Sequence, residues 1–137
     1  MKKLLLLISI ALTALSCGKS GDVIPSVAVN FQAAITDPRL SALNARGGAV
    51  LISGYGVVGL ILYREADGSY ACYDRCSSYQ PQNSCAVTLD GTGFTVTDPC
   101  SGSKFSLIDG TPVKAPATRS LRSYSITVSN SQIFVSN

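Results

Sequence analysis

From Ala49 onward the chain is a succession of short apolar or alternating runs cut by Gly and Asp-Gly steps, and this punctuation constrains the fold more than any other feature. Residues 49–53, 57–64 and 70–74 read as strands, with Asp67-Gly68 supplying the backbone freedom of a tight hairpin. An irregular loop rich in Ser, Gln and Asn runs to Ser84. Strands are predicted again at 85–89, 93–97 and 104–107, with Asp90-Gly91 and Asp109-Gly110 as turns. Residues 112–116, bounded by prolines, read as a connector. In the last hairpin, turning at Asn130-Ser131, Tyr124, Ile126 and Val128 alternate with Ser125, Thr127 and Ser129, so one face packs and the other is wet. Ahead of Ala49 lie an extended segment at 27–31 and one helical turn at 39–44, stopped by Arg46-Gly47-Gly48. Strands at this spacing predict an all-β fold, an antiparallel sandwich or small barrel.

The first residues follow a different logic. Met1-Lys2-Lys3 precedes an apolar run, residues 4–14, which is far shorter than the ~20 residues of a membrane span. It reads as a secretory signal peptide. Ala14-Leu15-Ser16-Cys17 resembles the lipobox of bacterial lipoproteins, in which the signal is cut before a cysteine that then carries lipid. The expected organisation is therefore a signal peptide at 1–16, the lipidated Cys17 with a polar tether at 17–25, and one β domain at 26–137. The mature chain would hold roughly 120 residues, enough for a single modest core. Two units of the formal charge of +3 belong to Lys2 and Lys3. A near-neutral mature surface gives no reason to expect nucleic-acid binding. The expected address is the cell envelope, lipid-anchored at the outer membrane and facing the periplasm or the cell surface. The expected partners are the membrane, reached through the anchor, and an unidentified envelope protein.

Chemistry is sparse. The chain has no histidine, so a serine nucleophile would lack its usual base, and no Gly-x-Ser-x-Gly occurs. Gly54-Tyr55-Gly56-Val57-Val58-Gly59 is a literal G-x-G-x-x-G with Asp74 twenty residues beyond Gly54. A dinucleotide turn needs a helix to follow, and Leu60-Ile61-Leu62-Tyr63-Arg64 is β-prone, so a glycine-rich hairpin is the better reading. Tyr55, Tyr73, Tyr79 and Phe105 are candidates for either a shallow binding groove or the core. Cys72, Cys76, Cys85 and Cys100 form an even set in an oxidising compartment. Disulfides outweigh metal ligation there, with three pairings open.

The segment Asp98-Pro99-Cys100-Ser101-Gly102-Ser103-Lys104-Phe105 resembles the second cluster-binding loop of Rieske [2Fe–2S] proteins, Cys-Pro-x-His-Gly-Ser-x-Phe/Tyr. Tyr70-Ala71-Cys72-Tyr73-Asp74-Arg75-Cys76 is similar to the strand entering the family's first loop, whose Cys-x-His falls on Cys76 and Ser78, or one residue away if a gap is allowed. Leu107-Ile108-Asp109-Gly110, Ala115-Pro116-Ala117, Leu121 and Tyr124 follow in the family's order. The resemblance covers residues 49–135. It implies a Rieske-like antiparallel β-sandwich with a small loop-bearing subdomain near residues 76–108.

Of the four implied ligand positions, Cys76, Ser78, Asp98 and Ser101, only Cys76 keeps a thiol, whereas Rieske clusters need two imidazoles and two thiolates. No twin arginine precedes the apolar run, so the prefolded export used by cluster-bearing Rieske proteins is not expected. In many Rieske proteins a disulfide ties the two loops, and Cys100 falls at the second loop's half-cystine. The resemblance thus implies a Cys76–Cys100 staple, leaving Cys72–Cys85. Ser103 is expected to cap its turn. The expected function is a cluster-less structural or interaction module that is not an enzyme and has no cofactor or metal. The alternative is an electron carrier holding [2Fe–2S] or another metal through Cys76, Cys85, Cys100 and Asp98.

Overall fold

The computed structural model describes residues 23–137. The expected signal peptide, Cys17 and the expected tether as far as residue 22 lie outside the described residues. Among the described residues no helix is long and apolar enough to cross a membrane.

Among the described residues ten strands form two antiparallel sheets. The larger contains β1 (Asn30–Ala34), β2 (Ala49–Ile52), β3 (Leu60–Arg64), β4 (Tyr70–Asp74), β9 (Ser123–Ser129) and β10 (Gln132–Ser136), in the order β1-β10-β9-β4-β3-β2. The smaller is inserted between β4 and β9 and runs β5 (Thr88–Leu89), β6 (Thr95–Thr97), β7 (Lys104–Ser106), β8 (Pro112–Lys114) in sequential order. The all-β reading and the inserted subdomain both hold.

Strand β3 is why the two parts form one body. Its five residues, Leu-Ile-Leu-Tyr-Arg, carry no polar position until the last, the mark of a strand covered on both faces. Leu60 and Leu62 pack into a core with Phe31, Leu40, Cys72, Tyr124 and Ile133. Ile61 and Tyr63 point the other way, into a second core with Tyr73, Val87, Val96, Phe105 and Leu121. Fully burying each such side chain stabilises by ~1.5–3 kcal/mol. Tyr73 and Phe105 are therefore core residues rather than a binding groove, and Tyr55 stacks edge-on against Phe31, ring centres 5.2 Å apart.

Some predicted boundaries shift. The expected strand at 85–89 shortens to β5, because residues 85–87 pair back onto the first loop. There Cys76 bridges Ala86, the Ser77 amide donates to the Cys85 carbonyl at 2.8 Å, and that of Val87 to Arg75 at 2.8 Å. The proline connector contains an edge strand, β8, which tolerates Pro112 at its first position because an edge can lack one N–H. Residues 57 and 58 turn instead of pairing, the Val57 amide donating to Asp74 Oδ2 at 2.7 Å. Packing also begins within the stretch read as tether: Ile24 is buried and its carbonyl accepts from Arg122 at 3.2 Å.

The buried Asp74 carboxylate explains the glycine-rich motif. It accepts from the Val57 amide, from the Cys76 amide at 2.8 Å and from the Tyr124 hydroxyl at 2.8 Å. One side chain thereby holds the β2–β3 loop, the end of β4 and β9 together. The G-x-G-x-x-G series leads into a strand, as expected for a hairpin.

Candidate functional site

Two loops meet at the top of the small sheet: residues 75–87, leaving β4, and residues 98–103, joining β6 to β7. At their junction sits Asp98, with no exposed surface. Its Oδ2 accepts from the Ser77 hydroxyl at 2.7 Å and the Ser101 hydroxyl at 2.6 Å, and its Oδ1 from the Cys100 amide at 2.8 Å. The Ser101 hydroxyl lies 2.9 Å from Ser103 Oγ, which accepts from the Ala117 amide at 3.0 Å. Burial pushes the Asp98 carboxyl upward, but the Ser101 and Ser77 hydroxyls and the loop amides outweigh it and hold the group below its ordinary value. A buried carboxylate persists only when such donors replace water. Ser103 thus ties the second loop to the segment around the cis Ala115–Pro116 bond rather than only capping its own turn.

The predicted ligand positions divide. Asp98 and Ser101 are together, whereas Cys76 and Ser78 face elsewhere. Cys76 is fully buried, with Sγ 3.6 Å from the Ser77 carbonyl and 3.7 Å from that of Pro81. The Ser78 hydroxyl donates to the Arg119 carbonyl at 2.5 Å. Ser77 stands opposite Asp98 instead, one residue beyond the position first assigned. The chain bends at Arg75, just beyond β4, where the Cys76 amide donates to Asp74 Oδ1 at 2.8 Å. The Ser77 amide is then held by the Cys85 carbonyl while its hydroxyl reaches Asp98.

The expected Cys76–Cys100 and Cys72–Cys85 bridges do not form. Cys85 and Cys100 are joined, with Cα atoms 6.4 Å apart, while Cys72 and Cys76 are free and buried. A staple between the loops is present, but its first-loop half is Cys85. Cys72 points into the large-sheet core among Phe31, Leu62 and Tyr124, out of reach of the loops. Burial pushes the Cys72 thiol up to about 12 and the Cys76 thiol up to about 11, so both stay protonated and behave as small apolar side chains. Among the described residues, Cys85, Cys100 and Asp98 also bring two sulfurs and a carboxylate oxygen within 4.8 Å of one another.

No protein-family model matches the chain, and no curated protein matches it. Solved structures do. The cyanobacterial plasma membrane Rieske protein PetC3 from Synechocystis PCC 6803 superposes with a TM-score of 0.57 at 19% identity, over 80% of this chain and 98% of that one. The chain has a Rieske-like fold. The ferredoxin of carbazole 1,9a-dioxygenase from Nocardioides aromaticivorans IC177 aligns over 80% of this chain and 97% of its own, with a TM-score of 0.51 at 17% identity. A complex of reduced oxygenase and oxidized ferredoxin in carbazole 1,9a-dioxygenase gives 0.53 at 18%, over 79% of this chain and 93% of that one. At these identities the likeness carries the Rieske-like architecture and leaves chemistry to the residues themselves.

Proposed function

We propose that this protein is a lipid-anchored component of a bacterial cell envelope whose Rieske-like domain works without a cluster, as a structural or interaction module and not as an enzyme. The Asp98 network carries this reading. Rieske-type proteins normally hold [2Fe–2S] with two thiolates on one iron and two imidazoles on the other. The residues here do not fit that group. The chain lacks histidine, and the side chains facing one another across the two loops are hydroxyls and one carboxylate hydrogen-bonded to each other, beside the Cys85–Cys100 disulfide. The only thiol at a predicted ligand position, Cys76, is buried within the first loop, its Sγ against the Ser77 and Pro81 carbonyls.

The loops are therefore closed by hydrogen bonds and a disulfide. A rigid, self-satisfied tip suits presentation to an envelope partner better than electron transfer. The lipobox-like Ala14-Leu15-Ser16-Cys17 supports anchoring at the outer membrane, and a Sec-type leader without a twin arginine supports export of an unfolded, cluster-free chain.

Protein exported to the envelope of cells grown with ample iron tests the reading. It should contain no stoichiometric iron or acid-labile sulfide, show no visible charge-transfer absorption, and give no low-field spin signal after reduction. One cluster per chain in that material would replace the module reading with the electron-carrier one.

A further inference from the structure

The disulfide that ties the loops lies against the one buried carboxylate of the site. Both sulfurs and an Asp98 oxygen fall within 4.8 Å, with Cys85 and Asp98 buried and Cys100 open to solvent. We propose that Cys85, Cys100 and Asp98 are a masked metal site, which reduction of the disulfide by a dithiol converts into a two-thiolate, one-carboxylate site for a single Zn2+ ion. This goes beyond the module reading and needs neither the lipid anchor nor any iron–sulfur cluster.

The chemistry of the donors selects the ion. A thiolate is a metal ligand, and a sulfur in a disulfide is a poor one, so the oxidised protein is closed to metal. Two thiolates favour a thiophilic cation over Mg2+ or Ca2+, which require oxygen ligands. Zn2+ accepts a tetrahedral set of three protein ligands with water in the fourth position. Cys100, on the exposed side, leaves that fourth position open. Two Zn–S bonds of ~2.3 Å at a tetrahedral angle place the sulfurs about 3.8 Å apart. The Cα separation of 6.4 Å leaves room for this by side-chain rotation. The backbone need not move: the Ser77 amide holds the Cys85 carbonyl at 2.8 Å, and Asp98 Oδ1 holds the Cys100 amide at 2.8 Å. The Ser77 and Ser101 hydroxyls already orient the carboxylate, as outer partners of metal-ligating carboxylates do.

The electrons and protons balance. The dithiol gives two electrons and two protons to the Cys85–Cys100 bond and closes to its own disulfide. The S–S bond opens to two thiols, and Zn2+ binding then releases one proton from each. The cation replaces the covalent staple with a coordinate one between the same loops.

The full-length mature protein tests this in two forms, one oxidised and one reduced with dithiothreitol and desalted without air, each titrated with Zn2+ and, as a spectroscopic probe, Co2+. The oxidised form should bind neither. The reduced form should take up one ion per chain, with thiolate-to-Co2+ charge-transfer absorption and the visible bands of a tetrahedral site. Cys85→Ser should abolish the charge-transfer signature of the pair. Asp98→Asn should weaken Zn2+ at least tenfold, consistent with loss of a ligand. Cys72→Ala and Cys76→Ala should leave one ion per chain. A reduced protein that keeps its circular dichroism and binds no metal would overturn the proposal. So would binding that survives Cys85→Ser, binding lost in Cys76→Ala, or a fold lost on reduction that Zn2+ does not restore.

Discussion

A methyl group added at Gly56 would run into the Asp74 carboxylate, and Gly56 also sits at a φ of +65°. The residue is glycine for two reasons that act together, a left-handed backbone and a buried carboxylate that occupies the space a Cβ would need. Gly54 shares the first reason, at a φ of +86°, but faces open space. The pair separates strain from collision. Gly54→Ala should lose ~1–2 kcal/mol, the left-handed penalty for an L-residue. Gly56→Ala should lose more, ~2–4 kcal/mol, since it also displaces the acceptor of the Val57, Cys76 and Tyr124 hydrogen bonds. Urea unfolding of the two variants measures the difference. Equal losses would mean that the loop gives way without disturbing Asp74.

Each element of the small subdomain is too short to stand alone, so its turns and its staple carry disproportionate weight. Asp90 organises the β5–β6 turn, accepting from the Thr92 amide at 3.0 Å, the Thr92 hydroxyl at 2.5 Å, the Thr95 hydroxyl, and Lys104 Nζ at 3.3 Å. Burial pushes its carboxyl up, but the Thr92, Thr95 and Lys104 donors outweigh this and hold it well below the usual carboxylate range. A folded-state value below the unfolded one, ~3.9, means that the stabilisation is complete above that pH and is lost as pH falls through the folded value. Amide exchange at Thr92 and Thr95 should therefore accelerate as the pH is lowered below about 4, after correction for intrinsic rates. Asp90→Asn should remove that acid-dependent step.

The Cys85–Cys100 link joins residues 15 apart, and closing such a loop stabilises by ~3 kcal/mol on chain-entropy grounds. Cys100→Ala should loosen residues 77–85 and 98–103 while the β9–β10 hairpin stays protected in hydrogen exchange. Uniform loss of protection would show that the bridge holds the whole core.

At the scale of the molecule, one strand buried on both faces joins two cores, and the chain enters the domain at Ile24, held by Arg122. Cys17 lies seven residues before Ile24, at most ~25 Å of extended chain. An anchored domain would stay close to the bilayer. Cys17→Ser should block lipidation and either release the protein from the membrane fraction or leave its precursor unprocessed. Stable anchoring requires more than one acyl chain, so native protein found soluble and unlipidated would remove the envelope anchor from the reading.

What the sequence determined by itself is local. Period-two alternation and Asp-Gly or Asn-Ser turns placed most strands, including β2, β4 and the β9–β10 hairpin, because pleat and turn chemistry act between neighbours. The absence of histidine excluded imidazole ligation without any structure. The ordered motifs from Asp98 to Tyr124 pointed to the Rieske-like architecture. Tertiary structure decided which atoms meet. Ser77 rather than Cys76 faces Asp98, because the chain bends at Arg75 beyond β4 and backbone pairing with Cys85 and Val87 fixes the course of the first loop there. Cys85 rather than Cys76 reaches Cys100 because residues 85–87 fold back onto 75–77. The loop between them, Ser-, Gln- and Asn-rich, has no period to fix its path. Its course is set by long-range burial and backbone pairing, which a linear pattern does not encode.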